Sequence, residues 1–324
     1  MKVCHFTSVH RHSDTRIFVK ECVTLKERMD VEVYLVAPNI EDTIKDGVNI
    51  KGVNVKKGNR LWRLVSGNLN INKELKSINA DIYHFHDPEL IPLGLHLKRK
   101  GHKVIYDIHE DLPRQVMAKS WIPDIFKKTV SKIVEVFENK SLRRFDALIT
   151  ATDTITERFA EINKKTYTVK NYPSLKELDI KEVPKVKKEK TLCYVGSLTN
   201  KRGLAEMVGA MGNTDAQLIL GGSFGDAREE KEIKKNIGWK RVEYKGYLGR
   251  EEVKEVLTFS NAGLVLLHPT PNYIDALPVK MFEYMACGLP VICSDFPILK
   301  QIIEKYKCGI CVNPLDISSV TEAI

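Results

Sequence analysis

The sequence predicts an α/β protein made of two doubly wound, Rossmann-like domains facing a cleft. Three observations carry that prediction. Short β-branched runs alternate with longer segments of helical periodicity, the pattern of parallel strands joined by helical crossovers. The alternation stops at a stretch rich in lysine, glutamate and proline, 173–190, and restarts beyond it. The 324 residues also leave room for two domains of roughly 100–200 residues each.

The elements follow in order. Val3–Val9 reads as the first strand. Thr15–Met29 reads as a helix with Ile17, Phe18, Val23 and Leu25 apolar and Ser13 or Asp14 as its cap. Val31–Ala37 is the next strand, and Asp81–His86 and Lys103–His109 are two more, with a helix over Glu89–Lys100 between them. Asp124–Phe145 is a long helix, spaced by Phe126, Val130, Ile133, Phe137 and Leu142, and Ala147–Thr150 is a strand. Beyond the linker, strands are expected at Thr191–Gly196, Ala216–Leu220, Val242–Tyr247, Ala262–Leu267, Pro290–Ser294 and Gly309–Val312. The domains are therefore 1–172 and 191–324. Asp316–Ile324 starts as a helix and stops early, so the second domain reads as truncated at its end.

Composition narrows the function classes. The apolar fraction is 43% and the charged fraction 29%, ordinary for a globular protein. No stretch approaches the ~18 apolar residues that span a bilayer, and the N-terminus turns polar too quickly for a signal peptide. Seven scattered cysteines make no disulfide framework, which points to a reducing cytoplasm. Cys308-Gly-Ile-Cys311 has redox-motif spacing but reads as a small apolar pair on a short strand. The net charge of +9 suits an acidic small ligand or an anionic membrane face. No arginine-rich tract, zinc-finger spacing or aromatic-laced motif accompanies it, so no nucleic acid is expected.

Ligands of open parallel sheets bind beyond the carboxyl ends of the strands, so polar residues just after strands are the candidates. In the run Asp275-Ala-Leu-Pro-Val-Lys-Met-Phe-Glu283-Tyr-Met-Ala-Cys-Gly-Leu-Pro-Val-Ile-Cys-Ser-Asp295, Pro278 suits a first helical turn. Free amides from Ala276 through Lys280, including Leu277, Pro278's neighbour, and Val279, make an anion site there. Lys280 adds a cation, and Asp275 and Glu283 can accept hydrogen bonds from hydroxyls of a sugar or ribose. A capped amphipathic helix accounts for the same residues without a ligand.

This run resembles the acidic motif of retaining glycosyltransferases of the GT-B fold, family four (glycosyl transferases group 1). The resemblance implies that Asp275 binds donor-sugar hydroxyls and Glu283 the nucleotide ribose, with Leu277, Pro278 and Val279 in the donor site. The family commonly has Glu where this chain has Asp275, which shortens the reach by one methylene. In Tyr194-Val-Gly196-Ser197-Leu-Thr-Asn-Lys201-Arg202-Gly203, Gly196 and Arg202 match the family's diphosphate site, whereas Ser197 stands where it usually has Arg. In Tyr106-Asp-Ile-His109-Glu110-Asp111, His109 matches a histidine that contacts the donor sugar near its anomeric centre. Tyr247, after a strand, stands where the resemblance implies a border to the nucleotide base.

His10, Asp14, Arg16 and Glu110 are assigned to the acceptor side. The loop Ser8–Arg16 lacks the glycines that many members carry. His84 and His86 point the same way on a strand and can share a metal. No third ligand stands at recognisable spacing and the resembled fold needs none, so no metal or cofactor is expected. The basic aromatic stretch Lys56-Lys57-Gly-Asn-Arg60-Leu-Trp62-Arg63 and the helix Trp121–Arg144 suit peripheral contact with anionic lipid.

The resulting expectation is a metal-independent, retaining hexosyltransferase. It moves a sugar from a UDP- or GDP-linked donor to a glycan or lipid-linked acceptor in polysaccharide biosynthesis. The alternatives are a non-catalytic nucleotide-sugar-binding subunit and a sugar-nucleotide 2-epimerase on the same architecture.

Overall fold

A computed structural model describes residues 1–55, 60–109, 111–118, 122–173, 175, 178 and 190–324. Lys56–Asn59, Glu110, Trp121 and most of the 173–190 stretch lie outside the described residues. The chain divides into two compact units, Met1–Asn171 and Tyr172–Ile324.

The first unit is built on an eight-stranded sheet. Its strands are β1 (Lys2–Phe6), β2 (Glu32–Pro38), β3 (Thr43–Lys45), β4 (Val48–Val53), β5 (Ile82–Phe85), β6 (Lys103–Ile108), β7 (Ala147–Thr150) and β8 (Thr166–Thr168), in the order β3-β4-β2-β1-β5-β6-β7-β8. All neighbours are parallel except β3 and β4. That hairpin closes on Asp46 (φ 49°) and Gly47 (φ 75°), the Asp-Gly pair that two positive φ angles favour.

Side-chain alternation sorts the sheet's two faces. Cys4, Phe6, Tyr83, Phe85, Val104, Tyr106 and Ile108 enter one hydrophobic core, in which Phe85 and Tyr106 stack with centroids 4.4 Å apart. The opposite face of β1 and β5 carries His5 and His84, which are register partners. A second core of Ile17, Phe18, Cys22, Val33 and Leu35 covers that side of β2.

Thr15–Met29 is not one regular helix. Thr15–Val23 winds as a π-helix and Thr24–Arg28 continues as α-helix. Asp14 rather than Ser13 is the cap, its side chain accepting from the amides of Arg16 and Ile17. The wider i→i+5 turn sets Ile17 and Cys22 together in the core and Arg16 and Glu21 together beside it. Elements absent from the sequence-based expectation include the β3–β4 hairpin and the helix Arg60–Ile78, which contributes Ile71 and Leu75 to the first core.

The second unit has six parallel strands: β9 (Thr191–Val195), β10 (Gln217–Gly221), β11 (Val242–Gly246), β12 (Ala262–Val265), β13 (Val291–Ser294) and β14 (Gly309–Val312), in the order β11-β10-β9-β12-β13-β14. Strand order reverses between β9 and β12, and in the first sheet between β1 and β5. Such reversals open a crevice at the strands' carboxyl ends. All seven cysteines are free thiols. Cys311 faces Cys293 across β13 and β14 at 3.7 Å rather than Cys308. Among the described residues no helix is long and apolar enough to cross a membrane.

Candidate functional site

Beside the strand reversal of the second unit, the ends of β9, β10 and β11 are laced through glycine backbones. The Gly196 amide donates to Gly221 O (2.9 Å), Gly222 to Gly246 O (2.6 Å) and Leu198 to Ser223 O (3.1 Å). Gly222 has φ 135°, and a Cβ there would fall 1.8 Å from Gly196 O. A Cβ on Gly196 would fall 2.6 Å from Lys280 Nζ. Only bare backbone fits, and bare backbone lets a ligand approach closely.

The helix Val279–Ala286 is pressed onto this edge. Tyr284 packs against Gly263 of β12, where a Cβ would lie 2.2 Å from the ring, and its hydroxyl accepts from the Val195 amide (3.4 Å). One turn earlier on the same face, Lys280 Nζ donates to Tyr194 Oη (3.1 Å) and sits 4.2 Å from that ring's centroid. Arg202 approaches from the β9 side, its guanidinium 5.8 Å from the Tyr273 ring, and the oxygens of Tyr194 and Tyr273 raise its pKa against the effect of burial. Burial and then the charge of Arg202 push Lys280 down to about 7, against the pull of Glu283. Two cations thus converge beside one phenol and repel each other, which a bound anion would relieve.

Other expected donor-site residues are placed less simply. Pro278 precedes the helix, with φ −69° and ψ 120°, rather than occupying its first turn. The Ala276 amide is not free, since it donates to Tyr273 O (3.1 Å). The first-turn amides left without intrahelical partners are those of Val279 and Lys280; Leu277 lies in the extended segment ahead of them. Asp275 is exposed on the preceding turn, four residues before the helix starts. Glu283 accepts from Arg250 Nη1 at 2.9 Å. Tyr247 is exposed just after β11, while Leu248 packs beneath Gly221. Tyr194, Tyr273 and Arg250 were not among the expected residues. Tyr194 carried the better signal, as a polar-tipped aromatic two positions before the turn glycine.

The reversal in the first unit gathers charged groups around Asp107, which is wholly buried. Arg16 grips it bidentately, Nε to Oδ2 at 2.7 Å and Nη2 to Oδ1 at 2.6 Å, and donates Nη1 to Val169 O. Asp107 Oδ2 also meets His86 Nδ1 (3.1 Å) and His109 Nε2 (2.8 Å). Arg16, expected on the acceptor side, is instead 4% exposed and committed to Asp107 and Val169. Burial disfavours the Asp107 charge, but Arg16 and the two histidines hold its pKa well below the usual carboxylate range.

The glycine-free loop after β1 is pinned to Asp87, whose Oδ2 accepts from Thr7 Oγ1 (2.6 Å) and the Ser8 amide (2.7 Å). It presents His10, with Nδ1 3.2 Å from Asp14 and Nε2 3.4 Å from Asp87, and its ring centroid 5.2 Å from that of His109. Burial alone would lower the His10 pKa, but its hydrogen bond to Asp14 and the charges of Asp87, Asp14 and Asp107 outweigh it and raise it. His10 and His109 are the partly accessible pair at this edge, with side chains 32% and 21% exposed. Glu110, also expected here, lies outside the described residues.

Behind Asp107, on the same sheet face, His5, His84 and His86 cluster with Glu21. The sequence offered no third ligand for His84 and His86; the fold brings two, His5 and Glu21, from 63 to 81 positions away. A cavity of about 290 Å³ lined by Thr191, Ala216, Asn261 and Pro290 lies at the opposite, amino ends of the second sheet's strands and holds none of these groups.

Comparison with known proteins follows the two units. Residues 18–171 match the family described as Glycosyltransferase Family 4, and residues 176–324 match Glycosyl transferases group 1. A 67-residue segment is 31% identical to the chitobiosyldiphosphodolichol beta-mannosyltransferase of Candida albicans, covering 21% of this chain and 14% of that one. Sucrose-phosphate synthase from Thermosynechococcus elongatus aligns with a TM-score of 0.75 at 17% identity, over 99% of this chain and 88% of its own. Anabaena Alr3699/HepE in complex with UDP-glucose aligns at 0.72 and 12%, over 99% and 88%. At such identities the likeness establishes the fold. With its two units matching these two families in turn, the chain belongs to the family 4 glycosyltransferases of the GT-B fold.

Proposed function

We propose that this glycosyltransferase moves a sugar, with retention of anomeric configuration, from a UDP- or GDP-linked donor to a glycan or lipid-linked saccharide acceptor. In this reading it serves polysaccharide biosynthesis in the cytoplasm, at the inner face of a membrane. The observation that carries the donor assignment is the convergence of Arg202 and Lys280 on Tyr194 beneath the bare Gly196 backbone. A diphosphate is the anion whose charge and length suit two cations and a helix start. Support for a nucleotide sugar comes from HepE, solved with UDP-glucose. Support for a lipid-linked acceptor comes from the name of the Candida relative, of which only a short segment is matched.

The residues divide the work. Arg202, Lys280 and the amides of Val279 and Lys280 stabilise the charge that develops on the departing diphosphate, so no metal ion takes part in the transfer. Glu283 holds the ribose, exchanging its Arg250 partner for hydroxyls, and Tyr247 borders the base. Asp275 and His109 orient the sugar. Retention proceeds on the front face, where the leaving diphosphate takes the acceptor proton and no strong side-chain base is required. His10 and Asp14 stand on the acceptor side.

A thermal-shift screen of nucleotide sugars tests the donor site, since a ligand of the native state raises the melting temperature by mass action. At least one UDP- or GDP-sugar is expected to stabilise the protein and to be slowly hydrolysed. No shift with any nucleotide sugar would overturn the donor site. Binding followed by sugar isomerisation would indicate a 2-epimerase, and binding with no turnover on any acceptor a non-catalytic subunit.

A further inference from the structure

Three imidazoles and a carboxylate meet in the first unit in a way the transfer reaction does not use. His5 lies on β1 and His84 on β5, opposite each other in register, and His86 follows two positions on, so all three face the same side of the sheet. Glu21 reaches them from the π-helical segment Thr15–Val23 that covers this face. His5, His84 and His86 are each 5% exposed or less. Glu21 Oε2 lies 3.6 Å from His5 Nδ1, 3.8 Å from His86 Nε2 and 3.9 Å from His84 Nδ1, and His5 Nδ1 is 3.1 Å from His86 Nε2.

We propose that His5, Glu21, His84 and His86 form a closed, four-ligand site for one divalent transition-metal ion, with zinc the best match. Tetrahedral zinc with bonds of ~2.0–2.1 Å places its ligand atoms about 3.4 Å apart. These four of the six ligand–ligand distances bracket that spacing, and all the ligand atoms lie within 4.8 Å of one another. Three imidazoles with one carboxylate are a zinc donor set, too rich in nitrogen for magnesium or calcium.

The surroundings suit a metal at Glu21 and His86, while the far nitrogens of His5 and His84 are buried without a partner. Neither Glu21 oxygen receives a hydrogen bond from a donor; one lies 3.4 Å from Arg16 Nε, and the carboxyl also faces Asp107. His86 already has the second-shell partner expected of a metal ligand, because its far nitrogen, Nδ1, meets Asp107 Oδ2 at 3.1 Å. The overlapping trio His86, Asp107 and His109 is less suited, since Asp107 spends both oxygens on Arg16. Four protein ligands leave no open position, the mark of a structural site. The ion would clamp β1, β5 and the π-helix together. With the metal on His86 Nε2, the proton stays on Nδ1 and points at Asp107, which then accepts from His109 Nε2 and fixes that ring.

The site is independent of the donor proposal and is tested without turnover. The full chain is purified without a histidine tag from zinc-supplemented culture, dialysed, and analysed by elemental mass spectrometry. One zinc per chain is expected. Chelator-stripped protein titrated with Co2+ should show the intense visible bands of tetrahedral coordination, saturating at one equivalent, and both signals should be lost in H84Q and E21Q. Should those variants fail to fold, the wild-type zinc content and cobalt spectrum decide alone. Substoichiometric zinc, weak octahedral cobalt bands, or equal binding by folded H84Q would overturn the site and leave a protonated Glu21 among neutral histidines.

Discussion

Lys280 offers a prediction whose size follows from its surroundings. Its ammonium is pushed down to about 7 by burial and by Arg202. At the proposed donor site a nucleotide sugar would bring two negative charges to those cations and restore the Lys280 proton. Donor binding therefore takes up a proton above pH 7, and affinity must fall as pH rises. If the bound form is fully protonated, affinity follows the protonated fraction of the free protein, about 0.9 at pH 6 and about 0.1 at pH 8, a roughly tenfold loss. The intact nucleotide sugar is the right probe, because the terminal phosphate of a free nucleoside diphosphate ionises in the same range, with a pKa of about 6. Lys280→Met keeps the aliphatic packing on Tyr194 and removes the charge. It should weaken binding by ~1.5–3 kcal/mol, the worth of a charge-assisted hydrogen bond, or roughly 10- to 150-fold. It should also flatten the pH profile. Isothermal titration calorimetry in buffers of different ionisation enthalpy reads both the affinity and the proton uptake. A wild-type affinity unchanged between pH 6 and 8, or Lys280→Met binding as tightly as wild type, would refute the reasoning.

Three further outcomes follow from the same geometry. Asp107→Asn leaves the buried Arg16 guanidinium without its carboxylate, and should cost ~3–5 kcal/mol in urea unfolding, as removing one partner of a buried ion pair does. Gly222→Ala puts a Cβ 1.8 Å from Gly196 O at a φ of 135°, so it should cost at least ~1–3 kcal/mol in thermal unfolding and weaken donor binding more than a cavity mutant of equal stability. His10 should titrate above 6.5 by NMR, and Asp14→Asn, which still caps the following turn, should lower it. Since the folded pKa of His10 is raised, its stabilisation is complete below 6.5 and is lost as pH rises through the folded value; Asp14→Asn should reduce that dependence.

What the sequence disclosed and what it hid have physical causes. Strands such as Ala147–Thr150 and Gly309–Val312 are legible to the residue, because short apolar runs bounded by turn residues mark parallel strands, at the sheet's edge as within it. The Thr15–Met29 segment shows its apolar content, but one inserted π turn changes which residues share a face, and with it the partner of Glu21. The β3–β4 hairpin is polar and exposed on β3, so little hydrophobic alternation marks it. In the proposed donor region, Gly196, Arg202 and Lys280 could be singled out in the sequence because each follows or starts an element. Arg250 beside Glu283, Asp107 between Arg16 and His109, and His5 opposite His84 depend on register and crossover across 33 to 91 residues. No local pattern encodes such pairings. The Ala276 amide illustrates the finer limit: a turn hydrogen bond consumes a donor that a helix start was expected to leave free.

The central claim is that this chain cleaves the bond between sugar and diphosphate with retention. The most direct measurement is proton and phosphorus NMR of the protein incubated with each UDP- and GDP-sugar, following nucleoside diphosphate release and the anomer first formed. The account predicts release from at least one donor, with the new sugar initially in the donor's own anomeric configuration and with the rate greatly reduced in Lys280→Met. Release with the inverted anomer first would contradict retention. No release from any donor, with or without saccharide acceptors, would contradict the account as a whole.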